Sequence, residues 1–83
     1  MAQYLLTLEI SLEPLAIEQV LQVVRYRGFR VTDITVAETQ NHYTMTISVF
    51  SETSIRNLMQ QLNKLYDVTS LTSEMISSLE KSA

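Results

Sequence analysis

The sequence predicts a single small α+β domain in which strands and helices follow the order βαββαβ. Three observations support this fold class. Short segments rich in β-branched residues alternate apolar and polar side chains, as half-buried strands do. Two longer segments carry the apolar stripe of an amphipathic helix. The chain has 83 residues, which suits one domain with a modest core.

The first strand and the first helix occupy the N-terminal third of the chain. Alternation from Tyr4 to Ile10 predicts a strand with one strongly apolar face. Pro14 suits a first helical position, where no N–H is needed, so we expect a helix from about Pro14 to Arg27. Its core face is expected to be Ile17, Val20, Leu21 and Val24, with a flanking apolar stripe of Leu12, Ala16, Val23 and Tyr26. The wide apolar surface indicates either a deeply buried helix or one that also contacts a second subunit.

Gly28, the only glycine, is expected to end this helix. A basic last turn with Arg25 and Arg27 precedes it, and Phe29 follows it. Glycine takes a positive φ without a steric penalty, so the pattern predicts a left-handed cap at Gly28. Phe29 then anchors the exit into the next strand.

A β-hairpin follows. The pattern of residues 30–38 predicts a second strand with Ile34 and Val36 on one face. Val31 is out of phase, which indicates either an irregular start of the strand or a bulge near Thr32 and Asp33. Beyond a polar turn, residues 43–49 alternate apolar side chains with Thr and Ser. Since one face is polar, both helices are expected on the other face of an antiparallel sheet.

In the C-terminal part, the apolar stripe predicts a helix from about Glu52 to Lys64, with Ser51 as its N-cap. A short strand that includes Val68 is expected to follow. The order is that of the ferredoxin-like fold: a four-stranded antiparallel sheet with two helices on one face. We expect residues 1–72 to form the domain. Residues 73–83 are expected to be a weakly amphipathic tail that either docks or frays.

Composition argues against several function classes. The chain has no cysteine, which removes thiolate metal sites and thiol nucleophiles, and its net charge of −3 argues against nucleic-acid binding. No apolar run approaches the roughly 18 residues of a membrane span, and residues 1–8 lack a secretory pattern, so we expect a cytoplasmic protein that binds no membrane. His42 is expected to be a solvated turn residue. The sequence shows neither a glycine-rich phosphate loop nor an acid and base pair, and we expect no catalytic residue and no metal site.

Arg25, Arg27 and Arg30 form the one basic cluster. Cations in a last helical turn stabilise the helix dipole, and this is the simpler interpretation. The alternative is a contact patch for an acidic protein partner.

Two motifs resemble a known family. Arg27-Gly28-Phe29 leads into the second strand, and residues 61–68 read Gln-Leu-Asn-Lys-Leu-Tyr-Asp-Val before the last strand. Together they resemble the small regulatory subunits of acetolactate synthase, which contain ACT domains. The segment from Glu13 to Phe29 is similar to the first helix of the short, isozyme II forms.

The resemblance implies a non-catalytic subunit that binds the large catalytic subunit of acetolactate synthase, in branched-chain amino acid biosynthesis. The large subunit would hold thiamine diphosphate, magnesium and FAD, and this chain no cofactor. The resemblance also implies a homodimer, which we expect through the second strand and the flank of the first helix at Ala16 and Val23. Arg25, Arg27 and Arg30 are expected to dock on the large subunit.

The resemblance further implies an effector pocket formed by Glu13, Pro14, Leu15 and Arg30. Effector-sensitive relatives have glycine after this proline and asparagine at the position of Arg30, so we expect weak binding of valine or none. One alternative is a free-standing ACT module that binds a small amino acid. A second is an enzyme that hydrolyses acyl phosphates, but Glu13 lies where its anion-binding loop would be and would repel phosphate.

Overall fold

The computed structural model describes residues 2–76 and shows six elements in the predicted order. They are β1 (Ala2–Ile10), α1 (Pro14–Tyr26), β2 (Arg30–Glu38), β3 (Tyr43–Ser51), α2 (Ile55–Asn63) and β4 (Val68–Ile76). The strands form one antiparallel sheet in the order β2-β3-β1-β4, so β2 and β4 are its edges. This arrangement confirms the predicted ferredoxin-like fold.

The core lies between one face of the sheet and the two helices. Alternate residues of the two central strands are fully buried, and they pack against buried residues of both helices. These residues are Leu6, Leu8, Ile10, Met45, Ile47 and Val49 from the sheet, and Ala16, Val20, Val24, Leu58 and Leu62 from the helices. The other face of the sheet mixes Thr and Ser with charged residues and with Leu5 and Phe50, and no described element covers it.

The end of α1 has the predicted left-handed cap. Gly28 has a φ of 85°, its N–H donates to the Arg25 carbonyl at 3.0 Å, and the Phe29 N–H donates to the Val24 carbonyl at 3.2 Å. These two bonds define a Schellman motif, which satisfies carbonyls that the helix end leaves free. Phe29 and Val24 are both buried, so the motif also anchors the start of β2 in the core.

The buried stripe of α1 is rotated from the predicted one. Ala16, Val20 and Val24 are buried, whereas Ile17 and Leu21 are only partly buried. The prediction that Ala16 lies on an outer flank is therefore wrong. Its small side chain lets the helix approach the sheet closely, and it is 2% exposed.

The predicted irregularity in β2 is confirmed. The pairing of β2 with β3 shifts register between Val31 and Asp33, so Thr32 is an extra residue in the ladder. Its hydroxyl donates to the Ser48 carbonyl at 3.2 Å. The bulge returns Ile34 to the helix-facing side, opposite Ile47.

The start of α2 differs from the prediction. Helix α2 begins at Ile55, because Ser54 rather than Ser51 is its N-cap and accepts from the Arg56 N–H at 3.1 Å. Ser51 is instead the last residue of β3, paired with Ala2, and its hydroxyl accepts from the Thr53 N–H at 2.9 Å.

Strand β4 extends further toward the C-terminus than predicted. Residues 73–76, expected in the tail, continue the pairing with β1. The rest of the expected tail, residues 77–83, lies outside the described residues. Within residues 2–76, neither helix is long and apolar enough to cross a membrane.

Candidate interaction surfaces

The sheet has two chemically different ends. Its pairing places the start of β1, the start of β2 and the end of β3 together, beside the last turn of α1 and the first turn of α2. We call this the arginine end. The opposite end contains the β1–α1 loop, the β2–β3 turn and the start of β4, and we call it the hairpin end.

All four arginines of the chain lie at the arginine end. Arg25 and Arg27 come from the end of α1, Arg30 from the start of β2, and Arg56 from the first turn of α2, and all are exposed. The fold therefore gathers the three arginines that the sequence singled out. In the part of the chain that the structure describes, none of them forms an ion pair.

Two of the grooves that open at this end are lined by arginines. The first, which we call the interhelical groove, has a volume of about 510 Å³ and is lined by Gln22, Val23, Tyr26, Arg27 and Gln61. Its most exposed aromatic side chain is Tyr26, at 86%. The second groove, of about 320 Å³, is lined by Gly28, Arg30 and Phe50 together with residues 51–53 of the β3–α2 loop, which include Glu52.

The predicted dimer surface included Val23 of the first helix. Val23 lines the interhelical groove with Gln61 of α2, so it faces α2. Helix α1 packs between α2 and β2, and Ile17 and Leu21 lie on the flank of the helix opposite to Val23. The flank next to the free edge of β2 is therefore the one that carries Ile17 and Leu21.

The free edge of β2 is apolar in its middle. Ile34 and Val36 face the helix side of the sheet but remain 41% and 40% exposed, because α1 covers the edge strand only in part. With the partly buried Ile17 and Leu21 they form an apolar strip along this edge, which we call the β2 strip.

The predicted effector pocket is not assembled within one chain. Glu13, Pro14 and Leu15 lie at the hairpin end, whereas Arg30 lies at the arginine end, a strand length of roughly 25 Å away. Leu15 is 64% exposed and points into solvent at the start of α1.

The loop before α1 also offers few donors for a ligand carboxylate. The Glu13 N–H donates to the Ser11 carbonyl at 2.7 Å, and the Ala16 N–H donates to the Glu13 carbonyl at 2.9 Å. Pro14 has no N–H. Two of the amides that could receive a carboxylate here are therefore already bonded within the chain.

His42 lies at the hairpin end, as predicted for a turn residue. Its Nε2 is 3.8 Å from the Glu9 Oε2, and both side chains are partly exposed. This is the one ion pair among residues 2–76, and these residues contain no group of three or more potential metal ligands.

Sequence reasoning missed the interhelical groove. Gln22 and Gln61 are polar residues on two different helices, and neither belongs to a chemical motif. Tyr26 was assigned to an apolar flank. Only the packing of α1 against α2 brings these side chains together.

Comparison with known proteins gives consistent results. The ACT domain family matches residues 13–71. Two proteins named acetolactate synthase isozyme 2 small subunit, from Escherichia coli K12 and Shigella flexneri, are each 37% identical over 70 residues, which cover 82% of this chain and 80% of theirs.

Solved structures share the fold. The acetolactate synthase small subunit of Thermotoga maritima matches with a TM-score of 0.74 and 25% identity, over 98% of this chain and 51% of that chain. The ACT domain of the GTP pyrophosphokinase from Chlorobium tepidum matches with a TM-score of 0.77 over 89% of this chain and 100% of that chain, but at 13% identity it shows the fold alone.

Proposed function

Because the chain belongs to the ACT domain family and is a relative of the acetolactate synthase small subunits, we propose that it is the non-catalytic regulatory subunit that activates an acetolactate synthase large subunit. The observation that carries this proposal is the 37% identity to named small subunits over 82% of the chain. The family match spans residues 13–71 and so includes both the Gly28 exit and the segment before β4.

The chemistry is assigned to the large subunit. Acetolactate formation, the first common step toward valine, leucine and isoleucine, would use thiamine diphosphate, magnesium and FAD bound there. This chain would act in the cytoplasm through contacts alone, by stabilising the large subunit or favouring its active conformation. A ligand or partner that binds only the folded, active state shifts the equilibrium toward it by mass action.

We also propose that the chain forms a homodimer through the edge of β2. A free edge strand presents unpaired N–H and C=O groups, and pairing with a second copy satisfies them. Antiparallel pairing about a two-fold axis near Ile34 would bury the β2 strip and place the start of β2 in one copy opposite the end of β2 in the other. This pairing would also bring Arg30 of the second copy to the hairpin end, the end at which Glu13 lies.

An effector site would then be shared between two copies, and we propose that it binds valine weakly or not at all. Leu15 projects beside the loop that a ligand would approach, and the loop offers few free amides. A free-standing module that senses an amino acid is the alternative function. It predicts a thermal shift with a branched-chain amino acid in the absence of any large subunit.

The arginine end is proposed as the surface that docks on the large subunit. Its exposed arginines carry positive charge on a chain whose net charge is negative. Charged residues at the rim of a protein interface mainly raise the association rate and make that rate depend on salt. We therefore expect complex formation to slow as ionic strength rises.

The test is reconstitution with the large subunit of the same organism. Each purified chain is assayed alone for acetolactate formation, and the two are then mixed and also run together on a sizing column. We expect no activity from this chain alone, a higher rate or a longer active lifetime for the mixture, and co-elution. An unchanged rate without co-elution would refute the proposal.

A further inference from the structure

We propose that the interhelical groove binds an acidic segment of the large subunit, with Tyr26 as the anchoring side chain. This inference rests on the proposed function, because it names where on this chain the large subunit docks. It adds a groove on the outer surface of the helix layer to the arginines already assigned to docking.

The first argument is the distribution of charge. The chain has a net charge of −3, yet its four arginines share one end of the sheet. The hairpin end carries carboxylates at Glu9, Glu13, Glu38 and Asp67, together with one lysine, Lys64. Separation of charge along the strand direction orients an approaching acidic surface toward the arginine end.

The second argument is the chemistry of the groove. Tyr and Arg are enriched among residues that dominate binding energy in protein interfaces, and the groove contains Tyr26 and Arg27 side by side. Gln22 and Gln61 offer amide donors and acceptors from facing helices, and Val23 provides an apolar wall. None of the lining residues is acidic.

The exposure of Tyr26 indicates that the fold does not need its ring. The side chain is 86% exposed on a helix whose core contacts are made by Ala16, Val20 and Val24. A tyrosine ring can bury about 150 Å² or more when a partner covers it. The same exposure argues against a small-molecule site, since such sites enclose most of their ligand.

The third argument concerns the two grooves. Arg30 lines its groove together with Glu52, so that groove carries charges of both signs. Arg27 lies in the groove that has no acidic residue, and Arg25 precedes Tyr26 on the same helix. Two other carboxylates lie in the half of the sheet next to the arginine end. They are Asp33 and Glu74, and both face the open side of the sheet. An acidic partner is therefore expected to favour the interhelical groove.

The groove is compatible with the proposed dimer. It lies on the α2 side of α1, whereas the β2 strip lies on the opposite flank of the same helix. A second copy and a large subunit can therefore bind one chain together.

The experiment compares two exposed tyrosines. Tyr66 is 95% exposed in the α2–β4 loop at the hairpin end, so Tyr66→Ser is a matched control for Tyr26→Ser. Binding to the large subunit is measured by calorimetry. We expect Tyr26→Ser to weaken the affinity about tenfold or more, as loss of an anchoring side chain does, and Tyr66→Ser to change it by less than about twofold.

Charge reversals test the electrostatic part. Arg27→Glu is expected to slow association with the large subunit and to reduce the salt dependence of the association rate. Arg30→Glu is expected to have a smaller effect on both. Thermal unfolding and light scattering should show the same stability and self-association for the two tyrosine variants. This check separates loss of docking from loss of fold.

Three results would overturn the inference and leave the proposed function in place. Equal affinities for the two tyrosine variants would remove Tyr26 as the anchor. Thr46 lies on the open face of the sheet. If Thr46→Lys abolished binding to the large subunit while Tyr26→Ser left it unchanged, the docking surface would be that face. Loss of self-association in Tyr26→Ser would assign the groove to a second copy. If the wild-type chain does not bind the large subunit at all, the proposed function fails first, and this inference fails with it.

Discussion

Replacement of Gly28 by alanine isolates the backbone energy of the α1 cap. Gly28 has a φ of 85°, a region that L-residues enter at a cost of roughly 1 to 2 kcal/mol. A Cβ built at this position meets no atom within 4 Å. The change therefore adds backbone strain without a clash and leaves the hydrogen bonds of Gly28 and Phe29 in place.

The expected loss is about 1 to 2 kcal/mol in the free energy of unfolding. For a domain of this size each kcal/mol lowers the melting temperature by about 4 to 8 °C, so Gly28→Ala should lower it by roughly 4 to 16 °C. Gly28→Asn is the matched control, because asparagine tolerates the left-handed region better than alanine. The Gly28→Asn variant should lose distinctly less unfolding free energy than the Gly28→Ala variant.

The assay is urea unfolding followed by circular dichroism, with all variants at one protein concentration because self-association raises apparent stability. Equal losses of unfolding free energy in Gly28→Ala and Gly28→Asn would contradict the reasoning, since a steric clash of the new side chain would then explain the destabilisation better than backbone strain. No loss for Ala would mean that the left-handed cap does not form in solution.

Three further predictions concern the surface. Ile34→Lys should convert the dimer to a monomer in light scattering, whereas Val23→Lys should not, since Val23 faces α2; the opposite pattern would place the dimer on the other flank. Millimolar valine should leave the melting temperature unchanged, because we expect valine to bind weakly or not at all. A ligand present at 100 times its dissociation constant would instead stabilise the fold by roughly 2.7 kcal/mol, so a clear rise in melting temperature would show that Leu15 does not close the pocket. His42→Gln should lower the unfolding free energy by less than about 0.5 kcal/mol in chemical denaturation, because the Glu9 pair is partly exposed; a larger loss would assign that pair a structural role.

The local features were predictable because the cause of each lies within a few residues. Gly28 ends α1 because a positive φ favours glycine, and Val31 signals the bulge because it breaks the alternation of its own strand. The N-cap of α2 was harder to assign, since both Ser51 and Ser54 are good caps. Ser54 serves because the backbone of Ser51 pairs with Ala2, a contact that sequence proximity does not reveal.

The sequence by itself determined the order of elements, the apolar faces of the central strands, the cap at Gly28 and the family resemblance. The tertiary structure alone decided that Ala16 is buried, that Val23 faces α2 and that Arg30 lies a strand length from Glu13. The physical reason is that the periodicity of a helix defines a stripe, while the rotation of that stripe about the helix axis depends on what packs beside it. In the same way, strand pairing, rather than chain distance, decides which loops share an end of the sheet.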